Sequence, residues 1–209
     1  MSGPVDERKR ETLRRFAAIG AATPFVGTAA GQSDADEPAD ENETREAIRG
    51  YVDTTPGAHF SKLRDDLRLG TGEAQYHLRR LEEGGRLESV KDGDYRRYFV
   101  ADRFSSLEIR AIGYLRRSTT RGIILALLEA PDRTGAAIAE QVGVSRPTIS
   151  AAAADLSEAG LLDRSDGYVL TEPELLITII IRYADSFGPE AVTFADEAAK
   201  YIHYDPETA

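Results

Sequence analysis

Residues 56–101 read PGAHFSKLRDDLRLGTGEAQYHLRRLEEGGRLESVKDGDYRRYFVA. Phe60, Leu63 and Leu67 recur at helical spacing, which predicts a short helix over Phe60–Leu69 that Gly70 ends. A second helix starts at Thr71 or Gly72 and runs to about Glu83, where Gly84-Gly85 stops it. Leu87–Val90 and Tyr95–Ala101 are strand-like and flank Lys91-Asp92-Gly93-Asp94, a turn signal. The order is helix, tight turn, helix, charged β-hairpin.

That order is how a winged helix-turn-helix offers one helix to a DNA groove. In the second helix Ala74, Leu78 and Leu81 share a face and should anchor it to a core. The opposite face carries Gly72, Gln75, Tyr76, Arg79 and, at its edge, Arg80. Glutamine can contact adenine in two places and arginine guanine, while a tyrosine hydroxyl serves phosphates or base edges. Gln75, Tyr76 and Arg79 are therefore the expected groove contacts. Arg80 and the hairpin's Lys91, Arg96 and Arg97 are the expected phosphate contacts. A blander reading makes Arg79 and Arg80 solvated charges paired with Glu82 and Glu83, and Tyr76 a half-buried packing residue. The combination of two helices, a turn, an outward amide–phenol–guanidinium face and a basic hairpin favours DNA.

A helix over Glu43–Asp53, with Ala47, Ile48, Tyr51 and Val52 on one face, precedes this unit and Thr55-Pro56-Gly57 breaks it. A second copy follows. Ser106–Leu115 reads as a connecting helix and Thr120–Glu129 as the module's first. Thr134–Val142 is its scaffold helix and Gly143-Val144 its turn. Ser145 caps a third helix with Pro147 in its first turn, and a short hairpin surrounds Ser165-Asp166-Gly167. The outward face here is Arg146, Ser150, Ala151 and Ala154. Alanine cannot hydrogen-bond a base, so this module either touches DNA weakly through Arg146 and Ser150 or serves as an interaction module.

On PGAHF, SKLRDDL, QYHLRRLEE and the hairpin, the first module resembles that of archaeal transcriptional regulators with two helix-turn-helix domains. It is similar more broadly to ArsR/MarR-type winged helices. VSRPTISAAAADLSEAGLL extends the resemblance, which covers about residues 43–171. It implies a DNA-binding regulator of transcription, with its second module departing from the pattern by its alanine face.

The flanks are less specific. Glu172–Phe187 contains LLITIIIRYADSF, a helix apolar on every side over Leu175–Ile181, with Thr171 as its expected cap. Pro189–Ile202 is a last helix with Val192, Ala195, Ala198, Ala199 and Ile202 inward. These helices either pack within the chain or pair two copies, and the homodimer is favoured because winged helices read palindromes as symmetric pairs. At the other end RKRETLRR (8–15) is basic, residues 16–31 are apolar and small, and 32–43 are acidic. This layout is that of a secretory signal, although Phe16 follows Arg14-Arg15 directly, unlike a twin-arginine signal. A cytoplasmic tail, membrane association of residues 13–31 and export remain open, in that order.

Composition narrows the function. The 209 residues hold no cysteine, which excludes disulfides and thiolate sites, and only three scattered histidines, which argues against a histidine metal cluster. The net charge of −10 is uneven: residues 172–209 have two basic against eight acidic groups, while 41–103 have twelve against thirteen. Arginine outnumbers lysine 22 to 4 in an acid-rich chain, a composition similar to that of halophilic archaea. No paired-carboxylate, Ser/His/Asp or phosphate-loop pattern is present, so no enzyme, cofactor or small-molecule ligand is expected. The expected architecture is mainly α with small β-hairpin wings. It comprises a disordered or membrane-associated segment 1–42, winged helices 43–103 and 104–171, and C-terminal helices 172–209. The expected partner is double-stranded DNA. The rival reading is a protein–protein adaptor that keeps the fold without the DNA.

Overall fold

The computed structural model describes residues 4–22 and 39–201. The chain forms two compact units, Met1–Ser105 and Ser106–Ala209. Both are mainly helical with small antiparallel hairpins.

In the first unit α1 (Pro4–Ala22) precedes α2 (Ala39–Thr54), β1 (Ala58–His59), α3 (Phe60–Asp66), α4 (Thr71–Glu83), β2 (Leu87–Asp92) and β3 (Tyr95–Val100). The apolar sides of α2, α3 and α4 meet in one core of Ile48, Tyr51, Leu63, Leu67, Leu78 and Leu81, closed by Leu87 and Tyr98. Burying side chains of this size contributes ~1.5–3 kcal/mol each relative to leaving them in water. β3 is the middle strand of the sheet β1-β3-β2. Leu87 pairs with Val100 and Asp92 with Tyr95 on one side, while Ala58 pairs with Tyr98 and His59 with Arg97 on the other.

Two expectations change here. Gly70 does not end α3. The residue with left-handed backbone is Arg68, at φ 56°, and Gly70 is the extended N-cap of α4. The N-terminus is not a loose tail over the whole of 1–42, because residues 4–22 form α1, packed along α2. Leu13 is buried in the core, and the Phe16 ring meets the Tyr51 ring edge-on with centroids 5.3 Å apart. The helix buries Leu13 and half-buries Phe16 and Ala17, while Glu7, Arg10, Glu11, Arg14 and Arg15 are exposed, the pattern of an amphipathic helix. Residues 23–38 of that segment lie outside the described residues.

The second unit contains α5 (Ser106–Leu115), α6 (Ser118–Glu129), α7 (Gly135–Val142), α8 (Arg146–Glu158), β4 (Leu162–Asp163), β5 (Val169–Leu170), α9 (Pro173–Phe187) and α10 (Pro189–Glu197), then a 3-10 turn at Ala198–Lys200. α6 is almost wholly inside, from Ile123 to Leu128. Gly122 lets it approach α7, since a Cβ there would lie 2.8 Å from a Val142 methyl. α7 is capped by Thr134 and leaves through Gly143 at φ 74°; α8 is capped by Ser145, whose hydroxyl accepts from the Thr148 N–H at 3.3 Å.

The C-terminal helices differ from expectation in phase. α9 buries Leu176, Ile179 and Ile180 but leaves Ile181 43 % exposed, so its apolar stretch is not buried on every side. Thr171 does not cap it; its hydroxyl donates to the Gly160 carbonyl at 2.7 Å. α10 turns Ala191 and Phe194 inward, with Ala198 just beyond, because Phe194 is its largest apolar side chain and takes the buried side. Val192 and Ala195 are half-buried, Ala199 is exposed and Ile202 lies outside the described residues.

Candidate nucleic-acid interface

α4 is anchored by Ala74, His77, Leu78 and Leu81, all buried. Gln75, Tyr76, Arg79 and Arg80 stand on its outer side and are exposed. Tyr76 is 46 % exposed, and its ring rests edge-on against His77 at 5.0 Å. The Arg79 side chain is 81 % exposed and its Nε donates to Glu83 at 2.7 Å. An i,i+4 pair this exposed contributes ~0.3–0.5 kcal/mol, which a phosphate or a guanine can exceed.

Each flank of α4 carries an acid that holds a basic side chain of a neighbouring element. On one side Glu73 takes Lys9 of α1, with Nζ 2.8 Å from both carboxylate oxygens, and also accepts the Gly70 N–H at 3.1 Å. Burial pushes the Glu73 carboxyl up, but the bonds from Lys9 and Gly70 outweigh it and hold the group below the ordinary carboxylate value. On the other side Glu82 accepts the Ser89 hydroxyl and lies 3.3 Å from the Arg96 guanidinium, whose Nε donates to Ser89 at 2.6 Å. Arg96 thus lies along the wing beside α4, with 62 % of its side chain exposed.

The wing holds one correction. Lys91 is exposed near its tip, but Arg97 is 5 % exposed. It pairs with Asp92 inside the unit, donates to the Gly57 carbonyl at 3.0 Å, and lies 5.7 Å from the Tyr95 ring centroid. β1 pairs with β3 at this point and covers the residue. Arg97 ties the sheet to the loop before α3 and does not reach a ligand. Tyr95, at 53 % exposed, takes the outward place at the hairpin end.

In the second unit α8 presents Arg146, Ser150 and Ala151 outward, with Ala154 half-buried. Its hairpin is two residues per strand, and Arg164 beside it is exposed. The unit also contains an open cleft of about 410 Å³ lined by Arg121, Leu125, Gln141, Val142 and Phe194, which carries no sequence motif. Among the described residues no group of three or more His, Asp or Glu side chains is placed to hold a metal.

Sequence reasoning missed Lys9, Glu73 and Glu82 as parts of this surface. The basic run 8–15 was the available signal, but its partner lies 64 residues away.

Comparison with known proteins agrees with the helix-turn-helix architecture. Residues 42–112 match the family model of an N-terminal HTH domain, and residues 109–168 match that of the MarR family. An uncharacterized HTH-type transcriptional regulator of Methanocaldococcus jannaschii is 32 % identical over 92 residues, which is 43 % of this chain and 22 % of that protein. The chain therefore spans about a fifth of that relative's length. No solved structure matches significantly. The chain carries helix-turn-helix domains, and the matches support a DNA-binding regulator of transcription.

Proposed function

We propose that this chain is a sequence-specific DNA-binding transcriptional regulator that reads double-stranded DNA with α4. The observation that carries the reading is the outward row Gln75, Tyr76, Arg79 and Arg80 on a helix whose other side is buried. Gln75 and Arg79 would contact base edges in the major groove, with Tyr76 on a base edge or phosphate. Arg80, Lys91 and Arg96 would hold phosphates, which set register and orientation but carry no sequence information. Arg97 has no place in this set. Arg146 and Ser150 of α8 would add a weaker contact from the second module.

Two copies would pair through the C-terminal helices, where Ile181 is the exposed apolar residue of α9. Such a regulator would work in the cytoplasm, where DNA is accessible. Residues 13–31 would not serve as a membrane anchor in such a regulator. Leu13 and Phe16 are taken up by the core, and no described helix is long and apolar enough to cross a membrane.

The test is duplex binding by the full chain across a salt series. Arg79→Ala should weaken binding to the preferred sequence by ~1–3 kcal/mol and relax specificity at one position, while Lys91→Ala should weaken all duplexes alike. Binding that is indifferent to salt and to both substitutions would remove the proposal in favour of the protein–protein adaptor.

A further inference from the structure

The recognition helix and the wing do not supply the positive charge that a polyanion demands. α4 has two basic side chains, Arg79 and Arg80, against Glu73, Glu82 and Glu83. The segment Leu87–Val100 has three, Lys91, Arg96 and Arg97, against Glu88, Asp92 and Asp94, and its Arg97 is buried. α1 differs. It carries Arg8, Lys9, Arg10, Arg14 and Arg15 against Asp6, Glu7 and Glu11. Arg10, Arg14 and Arg15 are exposed, and Arg14, with 75 % of its side chain in solvent, lies 3.5 Å from Glu43.

Its position matters as much as its charge. Glu73 is three residues before Tyr76 and seven before Arg80, so the three share one side of α4. Lys9 on Glu73 therefore places that part of α1 beside the first turn of α4, on the side that Tyr76 and Arg80 share. Glu82 is three residues after Arg79 and seven after Gln75, so Arg96 on Glu82 docks the wing along the Gln75/Arg79 edge. The row lies between α1 and the wing, each tied to α4 through one of its acids.

We propose that α1 is a third DNA-contacting element, whose exposed Arg10, Arg14 and Arg15 meet the phosphodiester backbone on the side of the recognition helix opposite the wing. The ligand chemistry is a row of phosphates, bound without regard to base sequence. Leu13 and Phe16, packed on α2, hold the arginines in place, and Lys9 sets the register of α1 against α4. The inference rests on the reading of the first module as a duplex binder.

The experiment uses the full chain and a mixed-sequence duplex, with the affinity measured over a salt series. The variants are the triple Arg10→Gln, Arg14→Gln, Arg15→Gln, and Arg110→Gln as a control that removes an exposed charge from the second unit. Every phosphate that is no longer neutralised should lower the slope of log affinity against log salt by ~0.9. The triple variant should therefore be shallower by about 1–3 and weaker at low salt, with the preference between duplexes unchanged. The control should match wild type. A triple variant with the wild-type slope, or a control that falls equally, overturns the role of α1 while leaving the α4 reading intact. Wild-type chain that binds no duplex at any salt sinks both. Unchanged duplex binding, with loss of binding to phosphatidylglycerol vesicles, would assign α1 to a lipid surface and likewise overturn the proposal.

Discussion

α4 and α8 occupy the same place in two copies of one architecture, yet they show solvent different chemistry. Their inner sides are alike: Ala74, Leu78 and Leu81 in one, Ile149, Ala153 and Leu156 in the other, all buried. Their outer sides are not. α4 offers an amide, a phenol and two guanidinium groups, whereas α8 offers one guanidinium, one hydroxyl and alanine. The hairpins diverge in the same direction, with six-residue strands and a third strand in the first unit and two-residue strands in the second. Buried positions maintain the scaffold and exposed ones assign the task, so a shared fold does not by itself give both modules the same partner.

The largest expected effect tests the shared half of that comparison. Leu78→Ala and Ile149→Ala each delete a buried branched side chain from a recognition-position helix and should each cost ~2–5 kcal/mol in denaturant unfolding. A much smaller loss at Ile149 would mean that the second scaffold does not depend on its core as the first does. Caps sharpen the contrast at smaller amplitude. The hydroxyl of Ser145 caps α8, so Ser145→Ala should cost ~1 kcal/mol. In α4 the carboxylate of Glu73 bonds back to the N-cap N–H, and a Cβ at Gly70 meets nothing closer than 3.7 Å. Gly70→Ala should therefore cost only about 0.5 kcal/mol. Equal losses in thermal melts would show that the two helices start by the same device.

The helices were legible because their ends carry their own chemistry. Ser145 with Pro147, Thr134 and Gly84-Gly85 each mark a boundary through a local bond or backbone preference, and apolar spacing then identifies the inner side. The outward row of α4 followed from that spacing alone. What escaped depends on partners distant in sequence. Arg97 looked like a wing cation until β1, a two-residue strand with no pattern of its own, covered it. The run 8–15 looked like a targeting segment because neither Tyr51 beneath Phe16 nor Glu73 beside Lys9 is visible from residue 9. The phase of α10 is set by which side packs on α9, and the alanine pattern pointed one residue away from it. The turn of the first module hid for another reason: Arg68 adopts the left-handed backbone that Gly143 adopts in the second, an exception no preference predicts.

If α4 reads duplex DNA, the row Gln75–Arg79 selects the sequence. Selection of bound duplexes from a random pool, run in parallel with full-length wild type and Arg79→Ala, tests it most directly. Wild type should return one enriched sequence, and the variant the same sequence degenerate at a single position. No enriched sequence, or an identical one from both proteins, would contradict it.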